Sequence, residues 1–477
     1  MAKAQLTAGM AIDGFMLEQR LHRGGMASIW RVSRADIDFP IVMKLPFLDF
    51  EGDLSLLVGF EVEQMIMAEL SGPHVPRWIA NGDFAVQPYI VMEYIAGPTA
   101  PRGSIGEALP LDEVITIGAH TAAALADLHQ QHVLHLDLKP ANILFRPTGE
   151  AVLIDFGLSR HEELPDLLDE QFHRPTGTPE YMAPEQLLKV RSEKRSDIFA
   201  LGAILYELAT GRLPFGIPSR MKQVRRRVWR DPVPLRALRP DIPPWLQEIV
   251  LKCLEPMPDA RYKTAEELLF DLRHPDLVEL TERSEHLKQL PLKAILLRRL
   301  HAWRSMNAIL SSATKPPPRA PIILVAVDLQ TGRDELRNSL LEISASVMAN
   351  IPGARLACIN VMPTSLIAVD DNVDAAGENI HVQRLVELRR WAEPLRLPKG
   401  KSTYHLLESR NVAAAIIDFA RSNRVEHVVI GAPATAGSLS GTISGQVMAE
   451  APCTVTVVRA GGEASSAFGS EQAPRPA

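Results

Sequence analysis

Apolar and polar positions alternate in short runs at the start of the chain. Residues 15–21, 28–32, 41–45 and 89–93 each read as a strand, and one stretch among them has helical spacing. In that stretch Phe60, Glu63, Met67 and Leu70 fall at i, i+3, i+7 and i+10, one stripe of a helix. Glu63 therefore lies on the apolar stripe, with Glu61 and Glu69 off it. After Leu111 the pattern becomes mainly helical. From residue 321 it changes again: strands at 322–327, 354–361, 402–407, 426–431 and 453–458 alternate with helices at 333–349, 381–396, 411–423 and 441–450. Such alternation implies a parallel sheet covered on both faces.

Two segments interrupt these rhythms. Residues 311–321 hold three consecutive prolines, a semi-rigid spacer, and residues 460–477 are rich in Ala, Gly, Ser and Pro, a disordered tail by composition. The chain thus divides into a block at 13–275, a helical and Pro-rich linker at 276–320, a block at 321–459 and the tail. With 477 residues, 46% apolar and 23% charged, it has the balance of a soluble globular protein of two or three domains. Lys+Arg 51 against Asp+Glu 57 gives −6, which argues against a nucleic-acid binder. Cys253, Cys358 and Cys453 are far apart, which fits a reduced compartment and excludes a disulfide framework. No signal-peptide core opens the sequence and no apolar run reaches the ~20 residues of a membrane helix, so a cytoplasmic protein is expected.

The first block carries the chemistry. Gly24 and Gly25 sit in a turn between two strands, where missing Cβ atoms let a backbone lie over phosphates. Lys44 ends the apolar strand Ile41-Val42-Met43 and needs an anion if it points inward; Glu63 on its helix stripe needs a cation. The stretch His135-Leu136-Asp137-Leu138-Lys139-Pro140-Ala141-Asn142 is followed by Asp155-Phe156-Gly157. Asp137 can take a hydroxyl proton, Lys139 can steady a phosphoryl group, and Asn142 with Asp155 can hold Mg²⁺. Residues 143–145 and 152–154 form a hairpin about Pro147-Thr148-Gly149 that brings the two ends together. Beyond them stand Gly177-Thr178-Pro179-Glu180-Tyr181-Met182-Ala183-Pro184-Glu185 and Ser196-Asp197.

In this order the motifs closely resemble those of the bacterial eukaryotic-like (Hanks-type) Ser/Thr protein kinases over residues 13–275. The resemblance implies an α+β bilobal protein kinase fold, with lobes at 13–94 and 95–275 and ATP with Mg²⁺ (or Mn²⁺) between them. It implies transfer of the γ-phosphate to Ser/Thr hydroxyls of protein substrates. Lys44 would bind phosphates and pair with Glu63, and Asp137 would be the base. Lys139 would contact the phosphate, and Asn142 and Asp155 the metal. Gly24, Gly25 and Ile29 would cover the nucleotide, Met92 would be the gatekeeper, and Glu93-Tyr94-Ile95 the adenine hinge. Thr178 would line the acceptor site, Glu185 would pair structurally with Arg261, and buried Asp197 would brace the catalytic loop.

Departures from the pattern alter the expectation. His22 and Ala27 replace the first and third glycines of the phosphate loop. Leu136 replaces the arginine that in the family receives a phosphate carried by the activation loop, and residues 160–175 contain no serine or threonine to carry one. Activity is therefore expected not to depend on that phosphorylation. The alternative is a silent pseudokinase scaffold that binds nucleotide and signals by conformation; the intact Lys44, Glu63, Asp137, Asn142 and Asp155 favour the enzyme.

Two basic features remain open. Arg220, Lys222, Arg225, Arg226, Arg227, Arg230, Arg236 and Arg239 read as a solvated face or as a dock for acidic substrates, the first being commoner. Ile295, Leu296, Leu300 and Trp303 form a stripe flanked by Arg298, Arg299, His301 and Arg304, which either packs on a neighbouring domain, the reading favoured, or lies on an anionic membrane.

In the second block Asp328 follows a strand at the carboxyl edge where open parallel sheets bind ligands, and Gly441-Thr442 opens a helix. Asn360-Val361-Met362-Pro363 and the ending from Val428 to Val458 closely resemble the universal stress protein family over 321–459. That implies an α/β open parallel five-stranded sheet of the adenine nucleotide alpha hydrolase type, acting as sensor or as the seat of a homodimer through its last strand. Asp328, Gly431, Gly441 and Thr442 are its nucleotide candidates, although the loop from Gly431 is shorter than the family's G-x-x-G, nine residues, G-[S/T] motif requires. A non-nucleotide sensor or dimerisation module is the competing reading.

Overall fold

A computed structural model describes residues 6–25, 27–47, 54–102, 107–218, 221–288, 293, 296–297, 301–312, 320–329, 333–364, 379–398, 400–432 and 442–459. The tail at 460–477, the linker at 313–319 and Gly441 lie outside the described residues. The chain forms two units that divide between residues 319 and 320.

The first unit opens with a six-stranded antiparallel sheet in the order Ala11–Ile12, Phe15–Arg23, Ala27–Ser33, Ile41–Pro46, Ile90–Glu93, Trp78–Asn81. Its alternating residues Phe15, Leu17, Trp30, Val32, Ile41 and Met43 make one core. Trp78–Asn81 is half-buried at every residue and slips register between Trp78 and Ala80, so it has no alternation to read. The helix Leu54–Met67 buries Glu63 as expected, and also Glu61, because its surroundings are wider than one stripe; Leu70 lies beyond its end.

The second part of this unit is built on the helices Leu111–Gln130, Arg195–Thr210, Pro244–Cys253 and Ala265–Arg273, around a large apolar core. Ile143–Phe145 pairs with Ala151–Leu153 in the expected hairpin, and Gly149 takes φ +102° in its turn. Arg160–His161 pairs with Val133–Leu134. An unforeseen helix, Leu167–Phe172, packs on Leu54–Met67. Within the linker read as helical, Ala302–Ser312 forms a helix that packs against Pro184–Leu187, Arg225–Val228 and Pro258–Ala260, and its Ile309 is fully buried. In the stripe read before it, Leu296 is exposed, while Ile295, Leu300 and the side chain of Trp303 lie outside the described residues.

The second unit is a five-stranded parallel sheet in the order Ser402–Ser409, Arg355–Pro363, Ile322–Ala326, His427–Ala432, Thr454–Arg459. Along the central strand Ile322 and Leu324 enter one core and Ile323 and Val325 the other, the period-two pattern of a sheet covered twice. Among the described residues no helix is long and apolar enough to cross a membrane.

Candidate active site

Lys44 lies opposite Ile29 and Ile90 in the sheet, so its strand partners aim it at the helix behind. Its Nζ stands 2.6 Å from Glu63 Oε2 and 3.1 Å from Asp155 Oδ1. Burial opposes the charge on Lys44, yet the Glu63 and Asp155 carboxylates hold its pKa above the usual lysine value. Lys44 in turn holds Asp155 below the ordinary carboxylate range, against burial. Burial pushes the Glu63 carboxyl above its usual value, a rise that Lys44 opposes without cancelling.

On the opposite wall Asp137 receives two groups. Lys139 Nζ lies 2.8 Å from Oδ2, and the Thr178 amide and hydroxyl both donate to Oδ1 at 2.6 Å. A hydroxyl at that distance has the geometry in which a carboxylate takes a proton. Lys44, Glu63, Asp137, Lys139 and Asp155 line one cavity, so the two clusters face the same space.

Buried hydrogen bonds fix the loop beneath. Asp197 accepts from the amides of His135 and Leu136 at 2.9 and 2.8 Å, and its Oδ2 lies 2.9 Å from His129 Nε2. Burial alone would raise the Asp197 carboxyl, but His129 and these donors hold it below its usual value. His135 bridges from the Asp137 amide to the Ile154 carbonyl at 3.3 and 3.1 Å, linking the two loops that carry Asp137 and Asp155. Leu136 and Asp155 take φ +60° and +67°, left-handed conformations that cost about 1–3 kcal/mol each and persist where a site over-determines them.

The donors fit a magnesium ion. Asn142 Nδ2 donates to the Asp137 carbonyl at 3.0 Å, which leaves its amide oxygen available to a cation, and Asp155 offers a carboxylate. Among the described residues no three His, Cys, Asp or Glu side chains form a metal cage. Two oxygen donors suit an ion whose remaining positions are filled by nucleotide phosphates and water.

Residues 15–272, more than half of the chain, match the protein kinase domain family. The chain belongs to the protein kinase family. Residues 321–459 match the universal stress protein family. The kinase part is 30% identical over 260 residues to the probable serine/threonine-protein kinase CPE1738 of Clostridium perfringens, covering 54% of this chain and 38% of that protein. It is 31% identical over 264 residues to the probable serine/threonine-protein kinase PknB of Lactococcus lactis, and 32% over 275 residues to the serine/threonine-protein kinase PknB of Mycolicibacterium smegmatis. Each of those two matches covers 54% of this chain and 42% of the relative. The chain thus spans less than half the length of these relatives.

Elsewhere in the kinase domain, half-buried Ile29 sits across from Lys44, and Ala27 joins the cleft wall beside the Gly24–Gly25 turn, which the Gly24 amide closes onto the Ala27 carbonyl at 3.0 Å. Met92 packs against the main core, Glu93 is gripped by both Nη atoms of Arg146, and Ile95 is buried just beyond. Arg261 meets Glu185 in a two-pronged pair at 2.6 and 2.8 Å, fully buried.

The basic cluster is not one solvated face. Arg225 and Arg226 are exposed, but Arg227 is buried, donates to the carbonyls of Met182 and Pro179, and lies 5.1 Å from the Phe215 ring; burial pushes its pKa down to about 10. Arg236 donates to the Ser284 carbonyl, and Arg239 to the carbonyls of Leu109 and Ala209. These arginines serve the backbone of the fold. Arg220 and the side chain of Lys222 lie outside the described residues.

In the stress protein domain the described candidates already have local roles. Asp328 pairs with Arg333 at 2.7 Å. A Cβ on Gly431 would come within 2.8 Å of the Leu336 side chain, so helix packing accounts for that glycine. Thr442 caps the helix Ile443–Glu450 by accepting the Gly445 amide at 3.1 Å.

Sequence reading missed several residues around the site. His129 looked like any helical histidine. Gly59 shows its reason only in three dimensions, where a Cβ would lie 3.1 Å from the Gly157 carbonyl. Arg191 stood in an ordinary charged run. Asp166 carried the one legible signal: an acid before Leu167-Leu168 with Asp169 three residues on reads as a helix cap.

Proposed function

We propose that this chain is a Ser/Thr protein kinase that transfers the ATP γ-phosphate to hydroxyls of protein substrates in the cytoplasm. The observation that carries the reading is the convergence of the Lys44–Glu63–Asp155 and Asp137–Lys139–Thr178 groups on one cavity. Lys44, held charged and aimed by Glu63, binds phosphate oxygens. Met92, Glu93 and Ile95 seat the adenine, with Gly24, Gly25 and Ile29 above. Asn142 and Asp155 would hold Mg²⁺, or Mn²⁺ in its place, which when bound offsets charge on the phosphates. Asp137 orients the acceptor hydroxyl and takes its proton, while Lys139 offsets charge as the phosphoryl group leaves. Thr178, whose hydroxyl contacts Asp137, borders the acceptor position.

The stress protein domain serves as sensor or as the seat of a homodimer. Thr454–Arg459 is an edge strand of its sheet, which supports pairing with a second copy.

Transfer of radiolabelled phosphate to the chain itself and to casein, with Mg²⁺ or Mn²⁺, tests the reading. Asp137→Asn should lower transfer by about 10²–10⁴-fold, the usual worth of a positioned base, with nucleotide binding retained. Nucleotide binding with no Asp137-dependent transfer would instead support the silent scaffold.

A further inference from the structure

One guanidinium reaches the start, the middle and the end of the activation segment. Arg191 lies between the helices Pro184–Leu187 and Arg195–Thr210 with 7% of its surface exposed. Its Nη2 donates to the carbonyls of Leu158 and Ser159 at 3.1 Å each, directly after Asp155-Phe156-Gly157. Its Nε donates to both oxygens of Asp166 at 3.1 and 2.9 Å. Its Nη1 donates to the Thr176 hydroxyl at 2.6 Å, two residues before Thr178 takes hold of Asp137.

The Asp166 side chain is nearly as enclosed, with 9% of its surface exposed. Arg160 brings a second cation to 3.7 Å and donates to the Arg191 carbonyl at 3.3 Å. Asp166 also caps the helix Leu167–Phe172 through the Asp169 amide at 3.2 Å. Arg191 and Asp166 depend on each other, because removing the carboxylate leaves Arg191 with neutral acceptors and removing Arg191 leaves Asp166 with only the more distant Arg160 as its cation.

We propose that Arg191 and Asp166 form an internal clamp that keeps the activation segment in working order with no phosphate on it. Arg191 supplies the cation that Leu136 cannot, and Asp166 supplies a fixed negative charge where the segment has no hydroxyl between Ser159 and Thr176. Both are positioning residues: they act on Asp137 through the segment that ends at Thr178, which Arg191 holds at Leu158, Ser159 and Thr176 together, and touch neither nucleotide nor acceptor. The inference deepens the phosphotransfer reading and rests on it for activity, but ordering of the segment can be read without any transfer.

The test uses the full chain, phosphatase-treated, as wild type and as Arg191→Ala, Asp166→Asn and Thr176→Ala. Asparagine caps a helix as well as aspartate does, so Asp166→Asn keeps the cap while removing the charge and one of the two oxygens that accept from Arg191. Arg191→Ala and Asp166→Asn should lower kcat/KM for casein by about 10–100-fold, the scale of a misplaced reacting group, with KM for ATP unchanged. Both should speed amide hydrogen exchange across residues 158–178 and leave the helix Ala265–Arg273 as in wild type. Thr176→Ala should stay within about fivefold of wild type, the loss of one neutral hydrogen bond.

Wild-type transfer and exchange in both clamp variants would overturn the proposal. So would loss of wild-type activity on phosphatase treatment, which would place a working phosphate on the segment, or a Thr176→Ala defect as large as that of Arg191→Ala, which would put the ordering in the Thr176 hydroxyl and not in the ion pair. If wild type transfers nothing while the variants still free the segment, the clamp stands and the phosphotransfer reading falls. Should Arg191→Ala not fold, the near-isosteric Asp166→Asn carries the decision.

Discussion

Every N–H of Arg261 has an acceptor. Nη1 and Nη2 reach the two oxygens of Glu185, and the carbonyls of Glu255, Arg195 and Pro256 take the rest at 2.8, 3.0 and 3.1 Å. The pair is fully buried, so Arg261→Ala would strand a carboxylate that keeps only the Ser196 hydroxyl. Urea unfolding should show a loss of about 3–5 kcal/mol, and a loss below about 1 kcal/mol would mean that the buried charge had found another partner. This pair was legible beforehand because both members stand in motifs of fixed order. Arg191 was not, although it too is buried and donates from all three of its nitrogens. Its partners come from residues 158, 159, 166 and 176, and no local pattern marks an arginine whose partners are scattered along a loop.

At the scale of elements, the helix Leu54–Met67 is held where Glu63 meets Lys44 by a close backbone approach. A Cβ on Gly59 would lie 3.1 Å from the Gly157 carbonyl, and one on Gly157 would lie 3.3 Å from the Gly59 carbonyl. Gly59→Val adds a branched side chain at that contact and must push the helix away from the Asp155-Phe156-Gly157 turn. Valine is no worse in a helix than glycine, so any loss comes from the contact. Phosphotransfer should fall by about 10–100-fold, with overpacking costing about 1–3 kcal/mol of stability. Activity equal to wild type would show that Glu63 does not depend on this approach. The helix itself was readable from its stripe, and its glutamate correctly chosen, yet Glu61 is buried as well. Periodicity reports one face, while both the helix Leu167–Phe172 and the strand Arg160–His161 pack on this helix. The basic cluster shows the opposite failure. A run of arginines looks solvated in sequence, because only the fold reveals that Arg227, Arg236 and Arg239 are donors to carbonyls of distant loops.

For the whole chain, alternation of strands and helices made the second unit legible almost element by element, because a sheet covered on both faces writes its pattern into every strand. The nucleotide candidates there were harder, since a glycine kept for packing and a glycine kept for a phosphate look alike in sequence. Gly431 abuts Leu336 and Thr442 caps its own helix, so neither needs a nucleotide to explain it. Each unit buries its own core and should unfold as its own cooperative step. Calorimetry of the full chain should therefore show two transitions, only one of which rises with MgATP. Nucleotide at a hundredfold excess over Kd stabilises the unit that binds it by about 2.7 kcal/mol and leaves the other in place. Asp155→Ala should abolish the shift by removing a carboxylate from the metal site, which identifies the responsive transition as the kinase unit. Movement of the second transition as well, persisting in Asp155→Ala, would assign nucleotide binding to the stress protein domain and restore Asp328 and Thr442 as its contacts.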